Sequence, residues 1–389
     1  MFFLISRTLG ATARLYLVIN VLQIFILEKI EDVQIRFWMT TFVILLMILL
    51  YTYEGGVKTI VFTDTLQTTF MLLGLIICII YIMNNMGHSM GSTLNELNGR
   101  GLTRIFNMDA NSAGFWLKNI IGGMFITVTM TGLDQEMMQK NISVKNLKDS
   151  QKNMISFSVI LVIVNFLFLL MGGLLYLYGS QQGINVSSDD LFPTIALSYL
   201  PAAISIIFVI GLISALFPSA DGALTALTSS FCIDLLGFKR RDDWDEKRKR
   251  RIRMMVHFSF AALFFIIVMM FKWIDNKSII DVILKVAGFT YGPLLGLFAF
   301  GILTKRTITD SLSLYVCLAA PLLILGIDFI NNVDWYATQL KFAGEWIEGV
   351  RDLSASVFGK FKIGYELLIY NGLLTFLGLL IISKKTVTA

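Results

Sequence analysis

Long apolar runs separated by short polar stretches dominate the chain. A helix needs about 20 apolar residues to cross a bilayer. Ten stretches read as spans by that measure, near residues 8–28, 36–53, 57–84, 114–134, 154–179, 202–235, 254–273, 279–302, 311–328 and 364–383. The sixth is long enough to project beyond a hydrocarbon layer about 30 Å thick. Two segments do not read as spans. Residues 85–113 are polar and rich in Gly and Asn. Residues 329–363 carry Trp335, Tyr336, Trp346 and Phe358 among scattered charges. That aromatic spacing fits a short interfacial helix better than a binding cage. The pattern predicts an all-α integral membrane protein with no soluble domain of any size, so an enzymatic site would have to lie inside the membrane.

Composition agrees with the pattern. Of 389 residues 56% are apolar and only 15% charged, against about 25% charged in soluble domains, and the mean hydropathy is +0.73. Disorder, a secreted disulfide scaffold and an ordinary cytosolic enzyme fit poorly. The net charge of +5 is concentrated: nine of the 32 Lys and Arg residues fall between Lys239 and Arg253. In a soluble protein such a run raises a nucleic-acid surface; beside a span it marks a cytoplasmic loop, and no nucleic-acid partner is expected. Lys140, Lys145, Lys148 and Lys152 follow the fourth span, Lys305 and Arg306 the eighth, and Lys384 and Lys385 the tenth, whereas 180–201 has no Lys or Arg. Even-numbered spans therefore end inside, which puts both termini of this chain in the cytoplasm. Cys78, Cys232 and Cys317 are dispersed in apolar runs and read as buried structural thiols. His88 and His257 lack companions at metal-ligand spacing and read as structural.

Ionisable residues inside spans mark function by default. Asp64, with Thr63, Thr65 and Gln67 around it, lies about 10 Å into the third span; the alternative is a residue near the helix start that reaches back to the cytoplasm. In the sixth span Pro218 is the expected helix break, freeing the carbonyl of residue 214. In lipid that carbonyl needs another partner, supplied either by neighbouring helices or by a hard cation, which takes carbonyl, hydroxyl and carboxylate oxygens. Ser219 and Asp221 beside it favour the cation. Lys285 near the outer end of the eighth span reads as a snorkelling lysine, and the glycines of 288–296 are expected to loosen or kink that helix. Neither an HExxH motif nor a P-loop is present. An intramembrane hydrolase using Asp64 and Asp221 stays as a competing reading, without a motif to recommend it.

Four stretches taken together carry a family resemblance: Tyr51 to Gln67 (YTYEGGVKTIVFTDTLQ), Gly132 to Lys140 (GLDQEMMQK), Ala215 to Asp234 (ALFPSADGALTALTSSFCID) and Gly288 to Arg306. In order and separation they resemble the sodium:solute symporter family, which includes sodium/proline, sodium/sugar, sodium/sialic acid and sodium/iodide transporters. The resemblance implies a LeuT-type inverted-repeat bundle with a midplane substrate site. It implies that Ser219 is the hydroxyl ligand of a sodium site, that the Ala215 carbonyl is a backbone ligand, and that Asp64 lies close to that site. Thr127 falls where sugar-transporting members place a polar substrate contact, and Met130 where they have an aromatic inner gate. Pro218 replaces one of two adjacent hydroxyl residues. Asp221 and Gly222 stand where members with an extra sodium site have Ser-Ser, so Asp221 is a further candidate ligand.

On that pattern residues 1–389 form one membrane transport domain. Residues 8–84 supply a partial first repeat, 114–328 the second repeat, and 329–389 an interfacial segment and an extra C-terminal helix. The first two core helices are expected to be missing, as in a fragment. The expected function is sodium-coupled symport of a small polar solute across the plasma membrane. Sodium is the coupling ion, with no other cofactor and no enzymatic activity. The alternatives are a membrane sensor module of the same fold or a non-transporting fragment. Neither the solute nor the oligomeric state follows from the residues.

Overall fold

A computed structural model describes the chain except residues 1, 28, 53–56, 187, 242, 275–278, 341, 343 and 386–389. Its helices are α1 (Phe2–Ile26), α2 (Val33–Thr52), α3 (Val57–Asn85), α4 (Met90–Gly99), α5 (Trp116–Gly132), α6 (Gln135–Ile142), α7 (Leu147–Gln182), α8 (Ser188–Thr194), α9 (Ala202–Ser230), α10 (Glu246–Ile274), α11 (Ile279–Leu303), α12 (Asp310–Asn331), α13 (Val333–Leu340), α14 (Trp346–Phe358) and α15 (Leu367–Ile382). Each predicted span is one of these helices, while α4, α6, α8, α13 and α14 are short connectors. Among the described residues seven helices are long and apolar enough to cross a membrane: α2, α3, α7, α9, α10, α11 and α12. Apolar side chains such as Ile155, Val162 and Leu169 stay exposed along α7. A helix that is apolar all round has lipid for its solvent.

The chain forms two compact units. One comprises residues 11–104 and 139–279, the other residues 1–10, 105–138 and 280–389. In the first, α3 lies against α9 at small residues, which let helix backbones approach closely in lipid. A Cβ on Gly74 would lie 3.3 Å from the Ile207 carbonyl oxygen, and one on Gly211 would lie 3.8 Å from the Met71 Cα. As the numbering falls along α3 it rises along α9, so the two helices are antiparallel. The proline of α9 does not break it. The α-helix runs through Pro218 to Ser230 and then widens into one π turn, Phe231–Leu235. The lost N–H leaves one carbonyl short of a donor, but the surrounding turns hold the helix together.

In the second unit, α11 and α15 meet along Gly288, Gly292 and Gly296. A Cβ on Gly292 would fall 2.2 Å from the Asn371 side chain, and one on Gly296 would fall 2.5 Å from Thr375. These glycines therefore neither loosen nor kink α11, which is continuous from Ile279 to Leu303; they make room for α15. Pro293 lies in the same helix and deprives the Phe289 carbonyl of its donor. The fully buried Asn371 replaces it, donating from Nδ2 to Phe289 O at 2.9 Å and to Gly288 O at 3.1 Å. Residues 329–363 contain α13 and α14 packed on α12, and their aromatic rings turn on one another: Phe329 stacks on Trp346 at 6.2 Å and Trp335 meets Tyr336 edge-on at 5.0 Å.

Candidate ion site and a polar cavity

Hydroxyls in a helix ordinarily donate to the carbonyl four residues back. In α9 Thr225 does so to Asp221 O and Thr228 to Leu224 O, each at 2.7 Å. Ser219 departs from this habit. Its Oγ is buried yet has no hydrogen-bond partner among the described residues, so it does not bond to the Ala215 carbonyl one turn earlier. No described side chain donates to the Ser214 carbonyl freed by Pro218, in contrast to the Asn371 amide that serves Pro293. Within one turn the helix thus presents a buried hydroxyl and two nearby carbonyls without side-chain donors. That arrangement suits a hard cation.

The α3–α9 register supplies the other side. Met71 lies against Gly211; carried seven residues along each helix, the register brings Asp64 level with Pro218 and Gln67 level with Ala215. Asp64 is half-buried. Gln67 Oε1 is a second buried oxygen without a hydrogen-bond partner among the described residues. Gln67 accompanied Asp64 in the sequence without standing out, because only the helix register brings it level with the Pro218 turn. Asp221 is fully buried, and its Oδ1 accepts from the Gly222 N–H. The four predicted ion-site residues, Ala215, Ser219, Asp221 and Asp64, thus belong to one unit and two packed helices.

Thr127 and Met130 sit on α5 in the other unit. Thr127 is exposed, and its hydroxyl is used by Gly123 O at 2.9 Å. Met130 packs against a cluster of Tyr291, Leu295 and Leu368. Nearby, that unit holds a cavity of about 340 Å³ lined by Asn119, Ile126, Lys285, Asp328, Asn332 and Trp335, among others. Lys285 does not snorkel. Its Nζ pairs with the fully buried Asp328 at 2.9 Å and lies 3.9 Å and 4.3 Å from the Trp335 and Tyr336 ring centres. Asn332 and Tyr336 also donate to the Asp328 carboxylate, at 2.7 Å and 2.5 Å. Burial, then the Asp328 contact, pushes the Tyr336 hydroxyl well above the ordinary tyrosine range. Asp328 at the end of a span carried no distinguishing signal in the sequence.

Gly87-His88-Ser89-Met90-Gly91 has the GxSxG spacing of a hydrolase elbow. Here Ser89 follows a helix rather than a strand, and it caps α4 in a reciprocal box with Ser92. The serine is a helix cap.

Residues 29–311 match the model of the sodium:solute symporter family. The sodium/sialic acid symporter NanT of Aliivibrio fischeri is 21% identical over 356 residues, covering 87% of this chain and 63% of the relative. The sodium/sialic acid symporter SiaT of Proteus mirabilis is 21% identical over 287 residues, covering 67% of this chain and 54% of the relative. The mouse sodium-coupled monocarboxylate transporter 1 is 26% identical over 263 residues, covering 65% and 42%. A solved structure of a Na+-coupled sialic acid symporter, substrate-bound and outward-open, superposes with a TM-score of 0.74 at 16% identity, covering 99% of this chain and 75% of that one. The chain thus shares a LeuT-like helical fold and spans less than two thirds of the length of the curated relatives it matches.

Proposed function

The chain belongs to the sodium:solute symporter family, and from that membership we propose that it takes part in sodium-coupled uptake of a small polar solute across the plasma membrane by alternating access. The observation that carries the reading is the turn at Pro218. Ser219 Oγ is buried without a hydrogen-bond partner among the described residues and lies one turn from the Ala215 carbonyl, with Asp64 and Gln67 of α3 level with that turn. Sodium held there, with Asp221 as a further oxygen source, favours the state that binds it more tightly, and coupling needs that differential affinity. Sodium is the coupling ion; no other cofactor and no catalysis are invoked. Thr127 and Met130 are the proposed solute contacts. The relatives named for sialic acid, monocarboxylate and pantothenate direct the search for the solute toward small organic acids. The basic loops support an orientation with even-numbered spans ending in the cytoplasm.

The test is uptake into proteoliposomes by the full-length protein, with a panel of labelled organic acids and an imposed sodium gradient. Removing one oxygen that contacts a cation costs roughly 1.5–3 kcal/mol. Ser219→Ala, Asp64→Asn and Gln67→Leu should therefore each raise the half-saturating sodium concentration about tenfold or more. Uptake indifferent to sodium, or variants with the wild-type sodium dependence, would overturn the assignment.

A further inference from the structure

His257 lies on α10 and is buried, as are the two threonines that meet its ring. Nε2 is 2.9 Å from Thr52 Oγ1 on α2, and Nδ1 is 3.1 Å from Thr228 Oγ1 on α9. Each threonine hydroxyl also reaches a backbone carbonyl of its own helix, Thr52 to Ile48 O at 2.8 Å and Thr228 to Leu224 O at 2.7 Å. Four contacts each require one proton. A hydroxyl supplies one, and a neutral imidazole supplies one from its two nitrogens. The neutral ring therefore brings three protons to four contacts, whereas the imidazolium brings four. Only the charged ring completes the arrangement with both hydroxyls still donating to their carbonyls.

We propose that His257, Thr52 and Thr228 form a buried proton-binding site that ties α2, α9 and α10 together when occupied. With the proton bound, both ring N–H groups donate to hydroxyl oxygens in charge-assisted hydrogen bonds. With the proton gone, one threonine turns its O–H from its carbonyl to the ring, and one of the four contacts is lost. Removing a cation from water costs free energy, and the charge-assisted hydrogen bonds to the two hydroxyls act against that cost. Among the described residues the charged and titratable groups around the ring are few. Arg253 lies one turn earlier on α10 and acts electrostatically on Cys232 of the π turn. Asp234 of that turn accepts from Ser230 at 3.0 Å. Asp221 lies two turns before Thr228 on α9, and Arg36 lies at the opposite end of α2. No carboxylate pairs with the ring among the described residues, where the two hydroxyls are its hydrogen-bond partners. The site is independent of the transport reading.

The chain has only two histidines, which makes the test direct. The full chain carrying His88→Gln, labelled with 15N-histidine in lipid nanodiscs, gives one imidazole to follow by NMR between pH 5 and 8. The expected result is a reversible transition to a ring with both nitrogens protonated. In Thr228→Val the remaining hydroxyl is satisfied by a neutral ring with its proton on Nε2, and in Thr52→Val by one with its proton on Nδ1. Each valine variant should bind the proton about tenfold more weakly, a shift of about one pH unit, and the two should show opposite tautomers at the alkaline end. Thr→Ser at either position should restore the wild-type transition. A wild-type ring that stays neutral throughout overturns the site without recourse to any variant. So does a valine variant that titrates like the wild type, or the same tautomer in both.

Discussion

Asp328 shows how a single residue decides the state of its neighbours. Its carboxylate is fully buried and collects Lys285, Asn332 and Tyr336. Removing it leaves a buried ammonium without its counter-charge, which typically costs about 3–5 kcal/mol; Asp328→Ala should lower denaturant resistance in detergent by that order, and Lys285→Met should cost less than Asp328→Ala. The phenol adds a pH signature. Because the Tyr336 pKa is raised in the folded protein, its contribution to stability is fully present below the unfolded tyrosine value of about 10. That contribution is lost as pH rises above it. Tyr336→Phe should therefore flatten the alkaline loss of stability, measured as denaturation midpoints between pH 8 and 11. A steep alkaline loss unchanged by the substitution would remove Tyr336 as its source.

At the scale of elements, the two prolines of α9 and α11 pose one problem and receive different answers. Pro293 frees the Phe289 carbonyl, and Asn371 of α15 reaches across to serve it. Pro218 frees a carbonyl to which no described side chain donates, beside a hydroxyl that is also without a partner among the described residues. The first arrangement is helix–helix adhesion and the second suits the cation proposed above. Gly292→Ala should test the adhesion, since its Cβ would overlap the Asn371 side chain. Overpacking of this kind costs about 1–3 kcal/mol, read as a lower midpoint of thermal aggregation. Gly301→Ala, where a Cβ meets nothing within 4 Å, is the control and should be close to neutral. Equal effects of the two would mean that the stripe does not set the α11–α15 approach.

For the whole molecule, the orientation prediction is open to direct labelling. Single cysteines placed in 181–186 and in 243–246, on a background with Cys78, Cys232 and Cys317 replaced, should react with an impermeant maleimide from opposite sides of the membrane. Labelling of both from one side would refute the positive-inside reading. The fold class and a helix at each of the ten apolar runs were legible from residue order alone, because a bilayer demands long apolar runs with every backbone group bonded internally. The Pro218 turn stood out for a related reason: a proline and an aspartate within four residues of one apolar span are costly in lipid, so their presence has to be explained. Residue order could not show what those groups meet. Gln67 opposite Ala215, Asn371 beside Pro293, Lys285 turned onto Asp328 and His257 held between two threonines all depend on which helix faces which, and in what register. Apolar runs of similar composition pack against one another with little to distinguish them in a one-dimensional pattern. Close approach at particular glycines, and the satisfaction of particular buried polar atoms, fix the pairing, and both arise only when the helices come together.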